Sequence, residues 1–189
     1  FTDAFCTTSS CSPSRSVILT GLHNHANGTY GLQHTVHHFE SLAQVRSLPV
    51  LLSEAGYRTA RIGKYHVGPE SVFRFDQALP GPLRNPVEMA ENSRGFMAAD
   101  GPFFLYYCTG DPHRSGEVAE NLPGRPNRFG NRDDGYAGVT ETTYKPEDVA
   151  VPSFLPDIIE VRAELAQYYQ SVCRVDQGIG RLVKILKDL

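Results

Sequence analysis

The sequence predicts an α/β fold: a mostly parallel sheet with helices on both faces. Three observations lead there. Residues 103–108 (FFLYYC) form an unbroken apolar run, the pattern of a strand covered on both sides. Residues 57–62 read as a second strand, directly after a helix-like stretch. From 157 to 189, Leu165, Tyr168, Val172, Val175, Ile179, Leu182 and Leu186 recur at spacings of three and four, which marks one face of a long helix. Strands alternating with helices favour a parallel sheet clad in helices. In such sheets ligands gather beyond the carboxyl ends of the strands. Lys64, His66 and His113 all follow apolar strands, which suits one shared site.

Taken in order, 13–20 reads as a short helix. Pro13 suits its first turn, where the missing N–H costs least, and Gly21 can close it. Residues 21–45 hold five histidines and several turn-formers and read as a loop with a short helical piece. Leu48, Leu51, Leu52 and Ala55 recur at helical spacing, capped by Gly56. The strand at 57–62 follows, with Lys64 and His66 at its exit. Residues 68–101 are rich in Pro, Gly and Asn and read as a long excursion. After the strand at 103–108 come Asp111 and His113. Residues 114–147 are polar and glycine-rich, the composition of an irregular surface insertion rather than a second core.

The 189 residues suffice for one domain or a large part of one, and 40% hydrophobic content is enough for a core. A net charge of −3 gives no case for nucleic-acid binding. No apolar run reaches the ~18 residues of a membrane span. No signal peptide is legible, and the chain opens on Phe1, so an upstream segment is expected to be absent from it. Cys6, Cys11, Cys108 and Cys173 lack Cys-x-x-Cys spacing, which argues against a zinc ribbon. Cys108 and Cys173 read as small core residues. Asn27-Gly28-Thr29 is a glycosylation sequon, read first as a turn.

The segment Cys11-Ser12-Pro13-Ser14-Arg15 carries the most chemistry. A helix starting near Pro13 would put Cys11 at its positive end, where N–H groups and the dipole favour an anion or a nucleophile. A thiolate phosphatase needs a longer, glycine-bearing cradle than the three residues between Cys11 and Arg15. A cysteine protease needs a histidine base, and no protease-like signature surrounds Cys11. A buried cysteine beside a helix start is the third reading. The histidines at 23, 25, 34, 37 and 38 invite a metal reading, but no H-E-x-x-H or carboxylate pairing supports it. They read as loop or substrate-pocket residues, His37 and His38 as candidates for binding substrate.

Cys11–Arg15 resembles the C-x-P-x-R signature of the formylglycine-dependent sulfatase family, in which the cysteine is oxidised to an aldehyde. Further segments match in family order: GKYHVGP at 63–69, DPHR at 111–114, and 168–180 with Asp176 and Gly180 four apart. The resemblance covers most of residues 1–120 and resumes near 143–189, leaving 114–142 unmatched. It implies the alkaline phosphatase-like fold, of which residues 1–189 would be an internal part of a single catalytic domain. It implies hydrolysis of N-sulfate or O-sulfate groups on a sulfated sugar such as heparan-derived glucosamine. Formylglycine at Cys11, installed by formylglycine-generating machinery, would be the nucleophile and one ligand of a calcium ion. Arg15 would hold the hydrated aldehyde. Lys64 would bind a sulfate oxygen and His66 would hydrogen-bond the nucleophile. His113 would contact substrate and protonate the leaving group.

The resemblance has departures. The family holds its divalent cation with an Asp-Asp pair on the first strand and an Asp-Asn pair on a later one. Neither is found at the required place, so the remaining metal ligands are expected outside this chain, and the chain alone is expected to turn over little. Asp133-Asp134 lies in the irregular stretch and is not assigned that role. Ser115 stands where relatives can carry a cysteine, which puts a disulfide there in doubt. The lysosome, the periplasm and the extracellular space all suit such an enzyme. Two rivals remain open: a noncatalytic binder of sulfated glycans, and a phosphate-ester hydrolase of the same superfamily.

Overall fold

A computed structural model describes residues 3–34, 36–114, 129–132 and 134–189. Ser115 and Asp133 lie outside the described residues, as does 115–128 of the predicted insertion. The chain forms two compact units. The first comprises Phe1–Ala78 with Asp100–Tyr106, the second Leu79–Ala99 with Tyr107–Leu189.

The first unit opens with α1 (Cys11–Thr20). The helix begins two residues before Pro13, so Cys11 sits in its first turn with Ser10 at the cap. Gly21, at φ 68°, donates its N–H to the Val17 carbonyl and ends the helix. A one-turn helix, α2 (Asn24–Asn27), interrupts the histidine-rich loop. Asn27 is fully buried, and its side-chain amide donates to Ser16 Oγ at 3.1 Å and to the Leu22 carbonyl at 3.1 Å. The sequon asparagine is therefore a packing residue, as the turn reading expects.

α3 (Leu48–Glu54) leads into β1 (Arg58–Gly63). With β2 (Gln77–Leu79) and β3 (Phe103–Cys108) it makes a small parallel sheet in the order β2-β1-β3. Asp76 pins the start of β2. It accepts from the Thr59 N–H at 2.8 Å, the Thr59 hydroxyl at 3.0 Å and Ser53 at 2.9 Å. What burial Asp76 has pushes its carboxyl up, but those bonds outweigh it and hold the pKa below the usual range. The core gathers Leu19, Val67, Val72, Phe73 and Phe75, with Phe104 and Tyr106 packed against them. The Phe103–Cys108 strand is half-buried along its whole length rather than enclosed.

The second unit corrects the excursion predicted for 68–101. That stretch contains β2 and a 13-residue helix, α4 (Pro86–Ala98). Asn85 caps it by accepting from the Glu88 N–H at 3.1 Å, while its own amide reaches the Glu88 carboxylate. Pro86 takes the first turn, and Pro86, Met89, Ala90, Ser93, Phe96 and Met97 form the buried face. After a 3₁₀ turn at Pro146–Asp148 comes α5 (Ile159–Asp188). Its buried residues are Ala163, Ala166, Gln167, Ser171, Arg174, Gly178 and Ile185. That differs from the predicted apolar stripe, of which Tyr168, Val172, Ile179 and Leu186 are exposed. Small residues win because α4 approaches closely: a Cβ on Gly178 would collide with Pro86 and with the Tyr107 hydroxyl. Cys108 and Cys173 are half-buried, and all four cysteines are free thiols.

Candidate active site

The site grows from the turn at the start of α1. Ser12, Pro13 and Ser16 are buried and fix the helix in the unit, which leaves Cys11 and Arg15 half-exposed on another face. β1 ends at Gly63, and the chain then delivers Lys64 to Cys11. Lys64 Nζ donates to Cys11 Sγ at 3.1 Å, although 53 residues separate the two. Arg15 Nη1 donates to the Lys64 carbonyl at 2.7 Å and to the Tyr106 hydroxyl at 3.3 Å. Arg15 thereby ties the first helix, the end of β1 and β3 together within one unit. One cation thus touches the thiol and a second is tied to that cation's own backbone, at the helix terminus where an anion is favoured.

Two residues beyond Lys64 stands His66, half-buried, with a φ of 59°. A non-glycine residue in the left-handed region costs free energy and persists only where its surroundings hold it. The ring of His66 meets that of His34: Nε2 of one contacts Nδ1 of the other, with centroids 4.3 Å apart. Tyr65, between Lys64 and His66 in the chain, donates to the Phe73 carbonyl at 2.8 Å. Burial, then Glu70, push its phenol far above the usual value, so it remains a donor.

The structure therefore brings together Cys11, Arg15 and Lys64, while His66 follows Lys64 by two residues and its ring meets that of His34. His37 and His38 are exposed on the loop between α2 and α3, His38 at φ 44°. His113 belongs to the second unit, where it is exposed. Its N–H donates to the Gly110 carbonyl at 3.0 Å, and its own carbonyl accepts from Arg84 at 2.8 Å. Its neighbour Asp111 is buried between two arginines, with Arg84 at 2.5 Å and Arg174 at 2.8 Å. Arg174 is itself buried and also donates to the Phe129 carbonyl at 2.7 Å and to Asn131.

Sequence reasoning missed His34 as the partner of His66 and Tyr106 as an anchor of Arg15 in the first unit, and, separately, Arg174 as the counter-ion of Asp111 in the second. Arg174 had a signal, a cation inside the apolar pattern of a helix. The other two contacts join segments far apart in sequence and had none.

A family model described as Sulfatase matches residues 1–189. The chain belongs to the sulfatase family. It is 44% identical over 200 residues to human N-sulphoglucosamine sulphohydrolase, covering 100% of this chain and 40% of that protein. It is 28% identical over 118 residues to the ulvan-active sulfatase of Formosa agariphila, covering 60% of this chain and 23% of the other. Among solved structures, yidJ from Bacteroides fragilis superposes with a TM-score of 0.68 at 17% identity, over 100% of this chain and 50% of that one. A 2-O GAG sulfatase superposes with a TM-score of 0.59 at 15% identity, over 97% of this chain and 45% of that one. The fold is thus the alkaline phosphatase-like α/β fold of sulfatases. The sulfatase chain spans 40% of the length of its human relative.

Proposed function

We propose that this sulfatase carries the nucleophile of a sulfohydrolase acting on N-sulfate groups of a sulfated saccharide, with O-sulfate as the alternative group. The observation that carries the reading is the 3.1 Å contact from Lys64 Nζ to Cys11 Sγ. In the unconverted chain Sγ stands where the oxygen of formylglycine would be. When present, that group supplies a hydrated aldehyde whose hydroxyl can attack sulfur. Lys64 would then bind and polarise a sulfonate oxygen, stabilising charge that builds in the transition state. Arg15, held by the Lys64 carbonyl and by Tyr106, would orient the nucleophile through its rigid fork of donors. His66 would hydrogen-bond the nucleophile, and His113 would pass a proton to the departing nitrogen or oxygen. His37 and His38 would meet the saccharide.

Sulfatases generally use formylglycine and a divalent metal. Among the described residues no three His, Cys, Asp or Glu side chains converge. These residues alone do not form the oxygen cage that calcium requires, and no step here runs through it. The preference for N-sulfate on glucosamine rests on the 44% identity to the human sulphohydrolase. A sulfated saccharide and formylglycine-generating machinery are the partners this reading requires, in a lysosomal, periplasmic or extracellular setting. No described helix is long and apolar enough to cross a membrane. Residues 1–189 remain, in this reading, an internal part of a single catalytic domain.

The test is release of inorganic sulfate by the full-length protein from N-sulfated glucosamine and from its O-sulfated isomers. The reading expects the N-sulfated sugar to be the better substrate. Hydrolysis of phosphate esters alone, or binding of sulfated glycans without release, would overturn it.

A further inference from the structure

We propose that His34 is a positioning residue of this site: its ring holds that of His66 and thereby sets the turnover rate. The inference rests on the sulfohydrolase reading of Cys11 and Lys64. It starts from the contact between His34 Nδ1 and His66 Nε2, with the ring planes inclined by 25°. An imidazole bonded through one nitrogen has the protonation of the other fixed by that bond, and its ring cannot turn without breaking it. His66 has unusual need of a brace, because its backbone sits at φ 59° just beyond the end of β1.

The loop bearing His34 is built to deliver it. Gln33 donates its N–H to the buried hydroxyl of Ser12 at 3.0 Å, anchoring the loop beside Cys11. Phe39 donates to the Leu32 carbonyl at 3.1 Å, which closes the loop on itself. Ser41 donates to the Gly68 carbonyl at 2.8 Å, which joins the loop to the chain just after His66. His34 is therefore fixed from two sides, against α1 and against the segment it braces. Charged and titratable groups on the neighbouring segments include Lys64, two residues before His66, Arg61 over the Tyr65 ring, Glu70, four residues after His66, and Glu40, whose carboxylate packs on Gly68, with His37 and His38 on the loop itself. His34 is exposed, so its truncation leaves the core intact.

The experiment uses the full-length, formylglycine-bearing protein with N-sulfated glucosamine as substrate. Wild type, His34→Ala and His34→Asn are compared by kcat, KM, pH profile and the ¹⁵N shifts of the His66 ring. The proposal expects His34→Ala to lower kcat about tenfold with KM within about twofold, the scale of losing a partner that orients a functional histidine. A limb of the pH profile and the His66 ring shifts should move with it. His34→Asn, which keeps a short polar side chain, should recover part of the rate. Unchanged kcat, or unchanged His66 shifts, in His34→Ala overturns the proposal while leaving the sulfohydrolase reading in place. A wild type that releases no sulfate overturns that reading instead, and the ring shifts then still decide whether His34 holds His66.

Discussion

The basic cluster beside Cys11 and the basic cluster around Asp111 use the same chemistry to different ends. At Cys11 the cations are half-exposed, and Arg15 donates to the Lys64 carbonyl and the Tyr106 hydroxyl. At Asp111 the carboxylate side chain is 0% exposed and Arg174 1%, with Arg84 as a second cation. Burial decides what each arrangement can do. A carboxylate locked between arginines holds its loop in place, and losing one partner strands a charge in a medium that cannot solvate it. Cations open to solvent at a helix terminus leave room for an incoming anion. The first cluster suits turnover and the second suits folding.

The largest effect that would break this contrast is on rate. Lys64→Ala is expected to lower kcat by about 10²–10³, the scale of removing one preorganised donor to developing charge. Its stability should stay within about 0.5 kcal/mol of wild type, as for surface substitutions generally. Steady-state kinetics beside urea denaturation would check both; a large loss of stability with turnover intact would erase the distinction. Arg174→Ala should do the reverse and cost about 3–5 kcal/mol in denaturation, because Asp111 is left buried with its partner removed. A loss below 1 kcal/mol would mean that Arg84 alone suffices. Arg174→Lys should recover only part, since an ammonium cannot reproduce the fork that reaches Asp111, Asn131 and Phe129.

Asp76 gives the smallest effect and the one with a pH signature. Its pKa is depressed in the folded protein, so its contribution is full above the unfolded value of about 3.9 and fades as pH falls through the folded value. Asp76→Asn should therefore lower stability at neutral pH and narrow the gap to wild type in acid. Melting curves across that range would show it, and a gap that widens in acid would contradict the sign.

Much of the fold was legible because its signals were local. The Phe103–Cys108 run, the glycine after α1 and the long three-and-four periodicity of α5 each announced an element. α4 was legible too, in Asn85-Pro86 with Glu88 at the third helical position, but the surrounding Pro and Gly hid that cap. The buried face of α5 was not legible. Hydrophobicity marked one stripe, whereas the buried face carries Ala163, Ala166, Ser171 and Gly178, and at Gly178 the approach of Pro86 leaves no room for a Cβ. At the site, residue types marked Cys11, Arg15 and Lys64. The partners of Arg15 and His66 depend on how distant segments pack, which no spacing along the chain encodes.

The central claim is that the residue Lys64 touches is the precursor of the reacting group. Mass analysis of the peptide ending at Arg15, from protein made in a host that converts other sulfatases, tests it most directly. The account predicts the aldehyde mass at Cys11, in which the thiol's sulfur and hydrogen and one of the two Cβ hydrogens are lost and one oxygen is gained. A peptide carrying the intact thiol throughout would contradict it.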